Sequence, residues 1–103
     1  MTTAYRLAAP AEADLEDIYR YTADAWGYDQ AHRYLAELQQ RFVEVADNPL
    51  LGRDRGDLRR GIRSRTAGHH VIYYAILDGI VVILRVMHPR QRMDRSRLTG
   101  RGK

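Results

Sequence analysis

The chain has 103 residues, no cysteine, four histidines, and seventeen cations against thirteen acids, for a net charge of +4, which points to one small domain whose thin core a partner would help to stabilise. Without cysteine there is no disulfide or thiolate site, and the scattered histidines lack ligand-like spacing, so neither a metal nor any other cofactor is expected. No apolar run reaches the roughly twenty residues of a membrane span, and the opening Met-Thr-Thr-Ala-Tyr-Arg is no secretion leader, so the reading is a cytoplasmic protein with no membrane partner.

Residues 4–8 alternate weakly and predict a short strand, at a sheet edge or beside a later hairpin. Pro10 suits the first turn of a helix, and Glu12, Asp14, Glu16 and Asp17 supply the negative charge that a helix N-terminus favours. Leu15, Ile18, Tyr19, Thr22, Ala25 and Trp26 form its expected buried stripe, and Gly27 ends it. Asp29 is placed to cap a second helix with the stripe Ala31, Tyr34, Leu35, Leu38, Phe42, Val45 and Ala46, which Asn48-Pro49 terminates. The aromatic residues Tyr19, Trp26, Tyr34 and Phe42 read as packing side chains of an antiparallel helix pair. Residues 49–57 are turn-rich, with Leu50-Leu51 expected to tuck back onto the helices. Residues 58–66 alternate enough for a strand, with Arg63 and Arg65 opposite Ile62 and Ser64.

Two runs of strand-forming residues, 69–77 and 80–88, are joined by Asp78-Gly79, the short-range signature of a two-residue hairpin turn. Unbroken register then pairs Leu77 with Ile80, Ala75 with Val82, Tyr73 with Leu84 and Val71 with Val86 on one side, apolar throughout and taken as the helix-covered face. On the other side Ile76 meets Val81, Tyr74 meets Ile83, Ile72 meets Arg85 and His70 meets Met87. Leaving Ile72, Tyr74, Ile76, Val81 and Ile83 wet would forgo several kcal/mol at roughly 25 cal/mol per Å², so loop and tail, or a partner, must cover them. A lone charge in a central strand needs an acidic partner or a task, and Arg85 is open to both readings.

After Pro89, residues 90–98 form a basic tail with Met93 and Leu98 as its anchors, and 99–103 are expected to be disordered, leaving 1–98 as the folded domain. The order β-α-α-β-β-β makes this an α+β fold, a helix hairpin on one face of a largely antiparallel sheet. Residues 1–48 hold four arginines and nine acids, whereas 49–103 hold thirteen cations and four acids. Sixteen of the seventeen cations are arginine, whose planar fork suits phosphate and carboxylate alike. No helix-turn-helix, zinc-knuckle spacing or RNA-binding aromatic strand is visible in that basic half.

Ala9-Pro10 with Ala13-Asp14-Leu15 and Ile18-Tyr19, Trp26-Gly27, Asn48-Pro49 with Leu51-Gly52-Arg53, the run from Gly68 to Tyr74, Ile83 to His88, and Arg92-Met93-Asp94 recur in order along nearly the whole chain. In these the chain resembles the ParE toxins of bacterial ParDE toxin–antitoxin modules, within the RelE/ParE superfamily. The resemblance implies a toxin that arrests growth by stabilising DNA gyrase on cleaved DNA, without catalysis, and so meets DNA only through that target. It also implies neutralisation by a ParD-like antitoxin in a hetero-oligomer, a heterotetramer being one stoichiometry. Arg85, His88, Arg90, Arg92, Met93 and Asp94 are the expected toxic surface. Leu15, Tyr19, Tyr34, Leu38, Ile72, Tyr74, Ile83 and Arg85 are the expected antitoxin contacts. The alternative is a RelE-type ribosome-dependent messenger-RNA endoribonuclease, in which Arg85 would hold phosphate and His70, Tyr74 or His88 would act as base. Against it, residues 89–98 contain no tyrosine to match the RelE pattern.

Overall fold

The computed structural model describes residues 5–98. In chain order they form β1 (Tyr5–Leu7), α1 (Ala9–Trp26), α2 (Tyr28–Asp47), a 3-10 turn (Pro49–Leu51), β2 (Arg53–Asp54), β3 (Arg63–Ala67), β4 (His70–Leu77), β5 (Ile80–Met87) and α3 (Arg95–Leu98). The expectation for 99–103 lies outside the described residues, as does Ala4 of the first strand. The five strands run β1-β5-β4-β3-β2, with β1 parallel to β5 and every other pair antiparallel, which is the expected α+β architecture.

Pro10 occupies the first turn of α1, where its missing N–H leaves no bond unmade, and Gly27 at φ +94° is the entire connection to α2. Gly27 therefore takes the capping position expected of Asp29, which lies in the first turn of α2. The stripe of α2 is buried as expected except for half-buried Leu35, but α1 outruns its cover after Thr22, leaving Trp26 74 % exposed. Leu50 and Leu51 also stay exposed rather than tucking back. The strand expected over 58–66 shortens to β3 because Gly61 at φ +90° breaks the chain. Arg55 N–H bonds Ile62 O and Leu58 N–H bonds Arg55 O, so residues 55–62 fold as a turn whose Leu58 and Ile62 side chains are buried. The two-residue β2 and the short α3 were not foreseen.

Asp78 (φ 53°) and Gly79 (φ 76°) form the expected turn of left-handed residues, and the first four hairpin pairs, Leu77–Ile80 through Tyr74–Ile83, stand as counted. A β-bulge then intervenes. Leu84 is extra, so Tyr73 pairs with Arg85, Ile72 with Val86 and Val71 with Met87, one residue out of the expected register. Val86 thereby takes the place beside Ile72 that regular alternation would have given to Arg85.

The two sheet faces are also exchanged relative to expectation, an exchange that the slip accommodates by removing a charge from the helix-covered face. The helices cover Ile72, Tyr74, Val81, Ile83 and Val86, which pack with Ile18, Leu38, Phe42 and Val45. With Val86 in place of Arg85, this face no longer ends in a charge. The opposite face, Tyr73, Ala75 and Met87 with Val71 and Leu84, is covered by Leu58 and Ile62 from the 55–62 turn and by Met93 and Leu98 from the tail. Loop and tail do provide the missing cover, but on the face assigned to the helices.

Candidate functional site

Arg85 is held in a forked ion pair with Asp14, its Nε at 2.8 Å and Nη2 at 2.7 Å from the two carboxylate oxygens. The same carboxylate accepts the Val86 N–H at 2.8 Å, and Arg85 Nη1 donates to the Arg97 carbonyl at 2.9 Å. Topology explains the arrangement. Strand β1 ends at Leu7, Ala8 N–H takes Ile83 O at 2.9 Å, and past that point β5 has no neighbouring strand on this side. An exposed strand edge needs an acceptor, and Asp14, in the second turn of α1, supplies it. Side-chain exposures of 15 % for Arg85 and 13 % for Asp14 place the pair largely out of water. The hydrogen bonds that the guanidinium donates to Asp14 raise its pKa further, so its charge is permanent. Of the two readings open for Arg85, the acidic partner is the one realised.

Further along α1, Asp17, Tyr21 and Thr22 join His69, His70 and His88 in lining an open cleft of about 410 Å³. The His70 and His88 rings stand 6.0 Å apart and perpendicular. Tyr34 organises the floor: its hydroxyl accepts the His69 N–H at 2.9 Å and is hydrogen-bonded to His70 Nδ1 at 2.6 Å. Gly68 at φ +57° passes so close to the Tyr34 ring that a Cβ there would stand 2.7 Å from it. Burial, then the neighbouring His88 and His69, lower the His70 pKa, while Asp14 pulls it upward. Burial raises the Tyr34 pKa, so the phenol stays protonated. Among the described residues, no three His, Asp or Glu side chains converge in a way that could hold a metal ion.

The expected toxic surface divides once its side chains are placed. His88, Arg90 and Arg92 are exposed just beyond β5, with His88 Nδ1 accepting the Arg90 N–H at 3.1 Å. Met93 is half-buried and packs against the loop-covered face with Leu98, which is the tail anchor expected of it. Asp94 starts α3, accepting from Ser96 Oγ at 2.6 Å, and that bond lowers its pKa. Of the expected antitoxin contacts, Leu38, Ile72, Tyr74 and Ile83 have 0 % exposure and belong to the helix-side core, so a partner cannot reach them in this fold. Tyr74 also anchors the connection after α2, its hydroxyl donating to Pro49 O at 2.7 Å and accepting from Gly52 N–H at 2.8 Å. That use removes it from the candidate bases. Tyr34 is buried as well, whereas Leu15 and Tyr19 remain half-exposed along the groove between α1 and α2.

Sequence reasoning missed Asp14 as the partner of Arg85, although a signal existed. Asp14 falls between Ala11 and Ile18 on the buried stripe of α1, at spacings of three and four. An acid on a buried stripe and an arginine in a buried strand are each costly alone.

Comparison with known proteins accords with this geometry. The family model described as ParE toxin of type II toxin-antitoxin system, parDE, matches residues 5–93. Toxin ParE1 of Mycobacterium tuberculosis is 40 % identical over 97 residues, covering 93 % of this chain and 99 % of that protein. Toxin ParE1 of Caulobacter vibrioides is 41 % identical over 85 residues, covering 82 % and 86 %, and Toxin ParE of Escherichia coli is 36 % identical over 93 residues, covering 89 % and 88 %. A solved structure described as a chromosomal ParDE TA system from P. aeruginosa superposes with a TM-score of 0.73 at 18 % identity, over 84 % of this chain and 96 % of that one, a likeness of fold. An α+β scaffold whose β5 arginine is clamped to α1, matched along nearly its full length by these relatives, belongs to the ParE toxin family of type II toxin–antitoxin systems.

Proposed function

We propose that this chain arrests growth by holding DNA gyrase on cleaved DNA, acting in the cytoplasm without catalysis of its own. The observation that carries the reading is the ion pair of Arg85 with Asp14. An RNase on this scaffold needs a free cation for the scissile phosphate and a nearby base. Here Arg85 is engaged by a carboxylate and a carbonyl, and His70 Nδ1 by Tyr34. His88 remains exposed, but no tyrosine follows it in the tail. Arg90 and Arg92, beside His88, are the exposed residues we assign to target contact.

A ParD-like antitoxin would neutralise the toxin in a hetero-oligomer. Its amphipathic segment fits the groove between α1 and α2, lined by Leu7, Leu15, Tyr19 and Leu35 and rimmed by Glu12, Glu16 and Arg20. Purified gyrase with supercoiled plasmid and ATP, run beside a programmed-ribosome cleavage assay, tests the function. Double-strand breaks without message cleavage are expected. Message cleavage that disappears in His88→Ala, with gyrase unaffected, would replace this reading with the endoribonuclease.

A further inference from the structure

The sheet divides the charge of this molecule into two layers. The helix layer, residues 9–47, carries three arginines against nine acids, whereas segments 53–62 and 89–98 together carry eight arginines against three aspartates. These segments lie far apart in sequence, but Leu58 and Ile62 from one and Met93 and Leu98 from the other pack on the same sheet face. The fold thus gathers two basic stretches onto one side of the sheet, with the acidic helix layer on the other.

The cations of this face whose side chains are described fall into two groups. Arg55 is paired with Asp57 and stacked 5.6 Å above the Tyr73 ring. Arg53, Arg59, Arg60, Arg90, Arg92 and Arg97 are exposed and enter none of the ion pairs found among the described residues. Large exposed apolar side chains, which supply the buried anchors of protein–protein interfaces, lie off this face or at its margins: Tyr21, Trp26 and Tyr28 sit at the helix junction, whereas Leu51 lies beside Arg53 and Arg55 and Leu77 and Ile80 at the hairpin tip. A face rich in unpaired arginine, with its exposed apolar side chains confined to the margins, matches a phosphate polymer better than a folded protein.

We propose that this basic face, built from Arg53, Arg59, Arg60, Arg90, Arg92 and Arg97, binds the phosphate backbone of duplex DNA directly. The acidic helix layer on the other side would turn the molecule so that this side approaches a polyanion. The inference rests on the gyrase reading only for the source of the DNA, a duplex already gripped by the target, and it replaces the expectation of purely indirect DNA contact.

The test is fluorescence anisotropy of a labelled 20-base-pair duplex with the full chain, without gyrase, across salt concentrations from about 50 to 200 mM. Each phosphate neutralised contributes about 0.9 to the slope of log affinity against log salt, so four to six contacts predict a slope of about −4 to −5. Arg59→Ala with Arg60→Ala should make the slope shallower by about two and Arg92→Ala by about one, with melting curves unchanged, while Arg33→Ala on α2 leaves it alone. No binding at 50 mM salt, a slope indifferent to these substitutions, or an oligoglutamate peptide of equal charge binding as tightly as the duplex would each overturn the proposal. Because gyrase is absent, failure here leaves the gyrase reading standing. Conversely, duplex binding would persist if gyrase proved not to be the target.

Discussion

The two faces of the sheet are both apolar but are covered by different means. On one side, helices of 18 and 20 residues lay continuous stripes over Ile72, Tyr74 and Ile83, and polar ties such as Arg65 to Glu44 fasten the layer. On the other, a turn and a four-residue helix reach down with Leu58, Ile62, Met93 and Leu98, and polar ties such as Arg85 to the Arg97 carbonyl add to the hold. The thick cover is acidic and the thin cover basic. The contrast teaches that two covers of one sheet can both bury apolar side chains yet carry opposite charge: long helices close one face, and a turn and tail that display arginines close the other.

Truncating one leucine in each cover gives the largest test of this contrast. Leu38→Ala, in the helix-side core, should lose about 3–5 kcal/mol, because surrounding helices cannot collapse into the cavity. Leu98→Ala should lose about 2 kcal/mol or less, since a short terminal helix can settle inward. Denaturant midpoints measure both, and equal losses would break the distinction.

The next effect tests the clamp that joins the two sides. Arg85→Ala leaves Asp14 partly buried and unpaired and should lower stability by about 2–4 kcal/mol. Combining Arg85→Met with Asp14→Asn, which keeps an acceptor for the Val86 N–H, should recover much of that loss. Thermal melts of the single and double variants decide it. Unchanged melting in Arg85→Ala would show that the pair contributes nothing to the fold.

The smallest expected effect is a pH dependence on the helix side. Because burial lowers the His70 pKa below its usual 6.5, the unfolded chain takes up a proton more readily than the folded one. The contribution is therefore present above about pH 6.5 and is lost as pH falls through the lowered folded value. His70→Gln should flatten the stability profile between pH 7.5 and 5.5, read by urea midpoints. An identical profile in the variant would remove His70 as its source.

Much of this architecture is legible from residues alone. Pro10 and Gly27 delimit α1, Asn48-Pro49 ends α2, and Asp78-Gly79 sets the hairpin turn, because each acts through local backbone geometry. The ordered motifs from Ala9-Pro10 to Arg92-Met93-Asp94 likewise point to the ParE family that the full-length relatives bear out. Only the tertiary structure decided which sheet face meets the helices, that Leu84 bulges, that Arg85 pairs with an acid 71 positions away, and that two basic segments share one surface. The reason is physical. Alternation has period two, and a single extra residue reverses every assignment beyond it without changing the local sequence preference. When both faces of a strand pair are apolar, hydrophobicity cannot choose between them. The choice rests on the fit of distant covers, and that fit exists only once the chain has closed.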